Sequence, residues 1–82
     1  MPPQMKSDWE KAVDVLVKKH FTQGPTLAER ARMAERYMND ILHHMTNHLG
    51  KNERTARREI EAGFSDPSKV DSTIRKYRGI GL

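Results

Sequence analysis

The chain has 82 residues, with 15 Lys and Arg against 11 Asp and Glu, a formal net charge of +4. Leu, Ile, Val and Phe together supply only 15 residues, and there is no cysteine. These figures exclude a multidomain enzyme, a membrane span, a disulfide scaffold and any cysteine-based metal or nucleophile site. A domain this small buries about 60% of the surface its unfolded chain exposes, so a partner or second copy is expected to supplement its thin core.

Residues 1–6 carry Pro2 and Pro3 without periodicity and read as a flexible N-terminal arm, with a single helical domain over 7–82. The first helix is expected over about 8–21. Ser7-Asp8-Trp9-Glu10 is a capping box, in which the serine oxygen accepts an early backbone N–H and Glu10 reaches back. Trp9, Ala12, Val13, Leu16, Val17, His20 and Phe21 follow at helical spacing, and Gly24-Pro25 ends the element.

The second helix is expected over about 27–49, between the capping box Thr26-Leu27-Ala28-Glu29 and the stop at Gly50. Leu27, Ala31, Ala34, Met38, Ile41, Met45 and His48 repeat with alternating spacings of four and three, a heptad seam that Ala28, Leu42 and Leu49 widen. A helix of this length spans roughly 34 Å, out of proportion to the chain. That tips the reading toward a self-association or partner seam made by Leu27, Ala31, Ala34, Met38, Ile41 and Met45. Packing inside one chain is the alternative.

A third helix is expected over about 53–62, capped by Asn52, with Ala56, Ile60 and Phe64 inward and Gly63 as its stop. A fourth is expected over about 67–78. Ser65 or Asp66 caps it, Pro67 occupies its first turn, Val70, Ile74 and Tyr77 face inward, and Gly79 ends it. Nothing alternates with a period of two, so the fold class is all-α: a small four-helix domain with one long central helix and a C-terminal helix-turn-helix-like pair.

That pair carries the functional reading. Ala62-Gly63-Phe64-Ser65 follows the small–Gly–apolar–Ser pattern usual in such turns, and it resembles the turn of phage small-terminase DNA-binding domains. Val70 falls about one residue later than the compact motif places its next buried position. A helix ending at Phe64 before Asp66-Pro67 also resembles mitochondrial LYR-type accessory proteins over less than a third of the chain. Their Leu-Tyr-Arg signature is absent and Arg36-Tyr37 is reversed, so that family is not carried over.

Residues 51–82 hold 8 basic and 5 acidic side chains, so the basic excess is C-terminal. Lys69, Ser72, Arg75 and Lys76 on the fourth helix are candidates to reach phosphates and bases, with Arg54 and Arg58 of the third on the backbone. The expected function is therefore a small, non-enzymatic, basic DNA-binding regulator that self-associates through its long helix. The competing class is a protein-interaction module (an adaptor, an assembly subunit or a small phage-type inhibitor) that docks through Trp9, Leu16, Phe21, Met38 and Met45.

His44 and His48 are four apart with Asp40 on the same face, a spacing that could share a divalent metal if a further ligand joined. They read instead as the rim and the half-buried end of the seam, so no metal and no cofactor is expected. No phosphate loop or nucleophile motif is present, so neither catalysis nor a small-molecule substrate is expected. The lack of cysteine and of an apolar leader fits a cytoplasmic protein that does not engage a membrane.

Overall fold

Ser7 opens the first helix as its capping box demands. In the computed structural model, which describes residues 6–80, its hydroxyl accepts from the Glu10 N–H at 3.1 Å and also bonds the Glu10 carboxylate. Helix α1 (Asp8–Lys19) follows, then α2 (Leu27–Asn47), α3 (Glu53–Phe64), a 3₁₀ turn (Pro67–Lys69) and α4 (Val70–Lys76). The described residues form no strand. Of the expected arm, only Lys6 is described, and its ammonium pairs with the Asp14 carboxylate; the rest lies outside the described residues.

The remaining starts are set by local chemistry too. The Thr26 hydroxyl accepts from the Glu29 N–H at 3.1 Å, and the Asn52 side chain accepts from Arg54 and Thr55. The end of every helix differs from expectation, and α4 closes at Lys76, two residues early. α1 closes at Lys19 because the N–H groups of His20 and Phe21 both return to Leu16 O. α2 closes at Asn47, and Gly50, at φ +66°, turns the chain so that the Lys51 N–H reaches Met45 O at 3.0 Å. α3 runs through Gly63 to Phe64, because burying the Phe64 ring outweighs the glycine's low helix propensity.

α1, α2 and α3 pack against one another, and α4 lies chiefly on α3. Trp9, Ala12, Val13, Leu16 and Val17 of α1 meet Ala34, Tyr37, Met38, Ile41, Leu42 and Met45 of α2, with Ala56, Ile60 and Phe64 of α3. An aromatic line crosses this core: Phe21, Tyr37, Phe64 and Tyr77 follow one another with centroid separations of 5.6, 5.7 and 6.3 Å.

This packing covers most of the expected seam from within the chain. Ala34, Met38, Ile41 and Met45 are at most 1% exposed within one chain, covered by α1 and α3. Within the chain their heptad spacing serves as the buried stripe of a packed helix. Ala31 is half-buried against the core, and Leu27 is 64% exposed. The length of α2 is accounted for by its C-terminal two-thirds forming the central wall of the core. The docking residues of the competing class meet the same fate: Trp9, Leu16, Met38 and Met45 are buried, and Phe21 is half-buried. No described helix is long and apolar enough to cross a membrane.

Candidate nucleic-acid interface

The α3–α4 pair is held by a close crossing at Gly63. A Cβ there would lie 2.6 Å from Thr73 Cγ2 and 2.7 Å from Thr73 Oγ1, so only glycine admits the Thr73 side chain. The Thr73 hydroxyl sits between Lys69 O at 2.7 Å and Gly63 O at 3.1 Å, tying the first turn of α4 to the end of α3. The buried positions of α4 are Val70 and Thr73, with Tyr77 buried just after its end, and Ile74 is only half-buried. Thr73 is thus an inward residue that an apolar-only reading misses; its spacing of three from Val70 and four from Tyr77 is the available clue.

The late position of Val70 is taken up by the 3₁₀ turn before it. The fourth helix is therefore two pieces rather than one element over 67–78. Pro67 supplies a fixed φ, and Lys69 N–H returns to Asp66 O at 2.9 Å. The Asp66 carboxylate accepts from the Ser68 N–H at 2.9 Å and the Ser68 hydroxyl at 2.7 Å, and these bonds hold its pKa below the ordinary aspartate value.

The predicted contact residues divide into free and engaged groups. Arg54, Arg58, Lys69 and Arg75 are exposed, and no carboxylate of the described residues lies within 4.0 Å of their charged groups. Arg58 shares a shallow recess with Asp8, Glu61, Ala62 and Ser65, so acids stand nearby. Ser72 is exposed, but its hydroxyl donates to Lys69 O at 3.0 Å. Lys76 donates to Glu59 Oε1 at 3.0 Å, and Lys51 donates to Glu59 Oε2 at 3.0 Å. One α3 carboxylate therefore holds one lysine from α4 and one from the α2–α3 loop. These two lysines keep the Glu59 pKa below its ordinary value, and Glu59 raises that of Lys76.

Sequence reasoning missed Lys51, Glu59 and Arg78. Arg78 is exposed beyond α4 with no carboxylate of the described residues within 4.0 Å. The separations of eight and seventeen residues in the Lys51–Glu59–Lys76 cluster match no helical period, so no local signal pairs them. Arg57, also on α3, faces α1, with its guanidinium 4.5 Å from the Trp9 ring centroid and 4.0 Å from the Glu61 carboxylate.

Elsewhere the surface carries less. An open groove of about 500 Å³ runs along Asn39, Leu42, His43, Thr46, Asn47, Lys51 and Glu53. Within it the His43 ring bonds the Asn47 amide at 2.7 Å. The His44 and His48 rings stack at 4.9 Å, and no group of three potential ligands among the described residues is arranged around a metal position. Among the described residues, Leu27, Met33 and Leu49 are the large exposed apolar side chains. Leu27 and Met33 lie about 120° apart around α2, and Leu49 lies beyond its other end, so they make no single patch. Compared with protein families, curated proteins and solved structures, the chain matches none.

Proposed function

We propose that the protein is a non-enzymatic DNA-binding module of helix-turn-helix type, in which α3 and α4 form the contact surface. The observation that carries this reading is the tight α3–α4 crossing at Gly63 and Thr73, with cations on both sides of it that have no carboxylate of the described residues within 4.0 Å. Arg54 and Arg58 sit on α3, Lys69 in the turn, Arg75 on α4 and Arg78 just after it. On this reading the α3 arginines lie along the phosphate backbone, and the α4 surface around Lys69, Ser72 and Arg75 meets a groove. The long α2 serves as the scaffold that fixes α3, and its heptad stripe is not the means of self-association.

Support also comes from what the core takes away from the competing class. With Trp9, Leu16, Met38 and Met45 inside, a docking protein would find scattered Leu27, Met33 and Leu49 rather than an apolar anchor cluster.

The test is titration into a labelled random DNA duplex at several salt concentrations. Each phosphate neutralised contributes about −0.9 to the slope of log K against log salt. The wild-type chain is expected to give a slope of about −3 or steeper. Replacing Arg54, Arg58, Lys69 and Arg75 together by alanine should flatten it by about three units. Absence of binding at about 50 mM salt overturns the reading.

A further inference from the structure

Glu59 stands inside the proposed contact surface, which is an unfavourable place for a carboxylate if phosphates are to approach. It is partly exposed, with side-chain exposure of 31%, and both of its oxygens are occupied by lysines at 3.0 Å. Those lysines come from different elements, Lys51 before α3 and Lys76 at the end of α4. A carboxylate with two ammonium groups presents the arrangement that a bridging phosphate would make with the same two lysines. The acid is not part of the apolar core, since the inward positions of α3 are Ala56, Ile60 and Phe64; its pair with Lys76 also ties α4 to α3.

We infer that Glu59 is a built-in competitor for the nucleic-acid phosphate: it holds Lys51 and Lys76 in a self-neutralised cluster, and binding DNA exchanges the carboxylate for a backbone phosphate. This rests on the DNA-binding reading and deepens it. It adds Lys51 to the contact surface, and it explains why Lys76, although predicted as a contact, is engaged within the chain. The exchange is drawn toward DNA because a phosphodiester backbone offers charge on both sides of each contact, together with release of condensed counterions. The physical consequence is restraint. The free protein shows fewer available cations than its sequence contains, so indiscriminate affinity is lowered, and the last contacts form only where a phosphate lies within reach of both lysines.

The experiment measures binding of wild type, Glu59→Gln and Glu59→Ala to a labelled random duplex by anisotropy, across salt concentrations. Gln and Ala both suit a helix interior, and far-UV circular dichroism checks that each variant is folded. Both variants should bind roughly tenfold more tightly at low salt, since two exposed ion pairs no longer compete. Their salt slopes should stay close to that of wild type, because Lys51 and Lys76 neutralise phosphate in every one of these complexes. The gain should vanish when Lys51→Ala and Lys76→Ala are added.

Unchanged or weaker binding in either folded variant, with wild-type DNA binding intact, overturns the competitor role and leaves the DNA-binding reading standing. A gain that survives loss of both lysines also overturns it, because the effect is then general charge alone. No binding by wild type or variants at about 50 mM salt overturns both readings together.

Discussion

The body formed by α1, α2 and α3 and the C-terminal α4 are held by different forces. The body is joined by apolar side chains that are fully out of water, among them Leu16, Met38, Ile41, Met45 and Ile60. α4 is short, and it is attached to α3 through Val70 and Tyr77, one threonine hydroxyl and one ion pair. Apolar burial scales with area and is little affected by salt; α4 contributes less of it and adds a geometric hydroxyl bridge and an ion pair that salt screens. The α4 half of the proposed contact surface is therefore more easily loosened than the α3 half, as binding elements often are.

The comparison breaks most plainly at Met38. Met38→Glu places an unpaired charge in the shared core, at a cost of several kcal/mol, comparable to the whole stability of a small domain. We expect loss of helical circular dichroism and of the cooperative melt. A folded Met38→Glu protein of altered size in sedimentation would return the heptad stripe to an interface between chains.

Gly63→Ala is next. Alanine in a helix ordinarily gains about 1 kcal/mol over glycine, but here the new methyl meets Thr73 at 2.6 Å. Overpacking against a stiff β-branched neighbour should reverse the sign and cost about 1–3 kcal/mol. Amide exchange should quicken in α4 while the α1–α3 amides stay protected. A stabilised Gly63→Ala variant would show that α4 is not held by this crossing.

Thr73→Val keeps the shape and removes the hydroxyl that bridges to Lys69 O and Gly63 O. The expected loss is about 1 kcal/mol, read as a lower denaturant midpoint with unchanged slope.

The smallest effect is the pH dependence of the Glu59 cluster. The Glu59 pKa is depressed in the fold by Lys76 and Lys51, so its contribution is present above the ordinary glutamate range and lost as pH falls through the lower, folded value. That of Lys76 is raised by Glu59, so its contribution is present below the ordinary lysine range and lost as pH rises through the higher, folded value. Neutral pH lies inside this window. The melting-temperature difference between wild type and Glu59→Gln should therefore be flat near neutrality and vanish at the acidic end. A difference that persists there would assign Glu59 a role other than charge.

Two kinds of reasoning met different success along the chain. The starts of α1, α2 and α3 were readable because a cap is chemistry between neighbours about three residues apart, as at Ser7 with Glu10 and Thr26 with Glu29; α4, which has no side-chain cap, starts three residues later than expected. The apolar stripe of α2 was readable as buried, but what covers it was not. Ala34, Met38, Ile41 and Met45 have the same periodicity whether they face α1 and α3 or a second copy. Thr73 was passed over because a polar residue enters a core only when partners satisfy it, and its partners belong to Gly63 and Lys69, ten and four residues away.

The candidate surface divides along the same line. Its cations were visible one residue at a time, whereas Gly63, expected as a stop and turn residue, lies inside α3 where Thr73 crosses it. Which cations are free was decided by packing, since Lys51 and Lys76 reach Glu59 only after α3 turns back on α2 and α4 lies on α3. Caps, periodicity and turn residues act within a few residues and need no fold to be true. Charge pairing and burial depend on distances between segments far apart in the chain, and those exist only once the helices have packed.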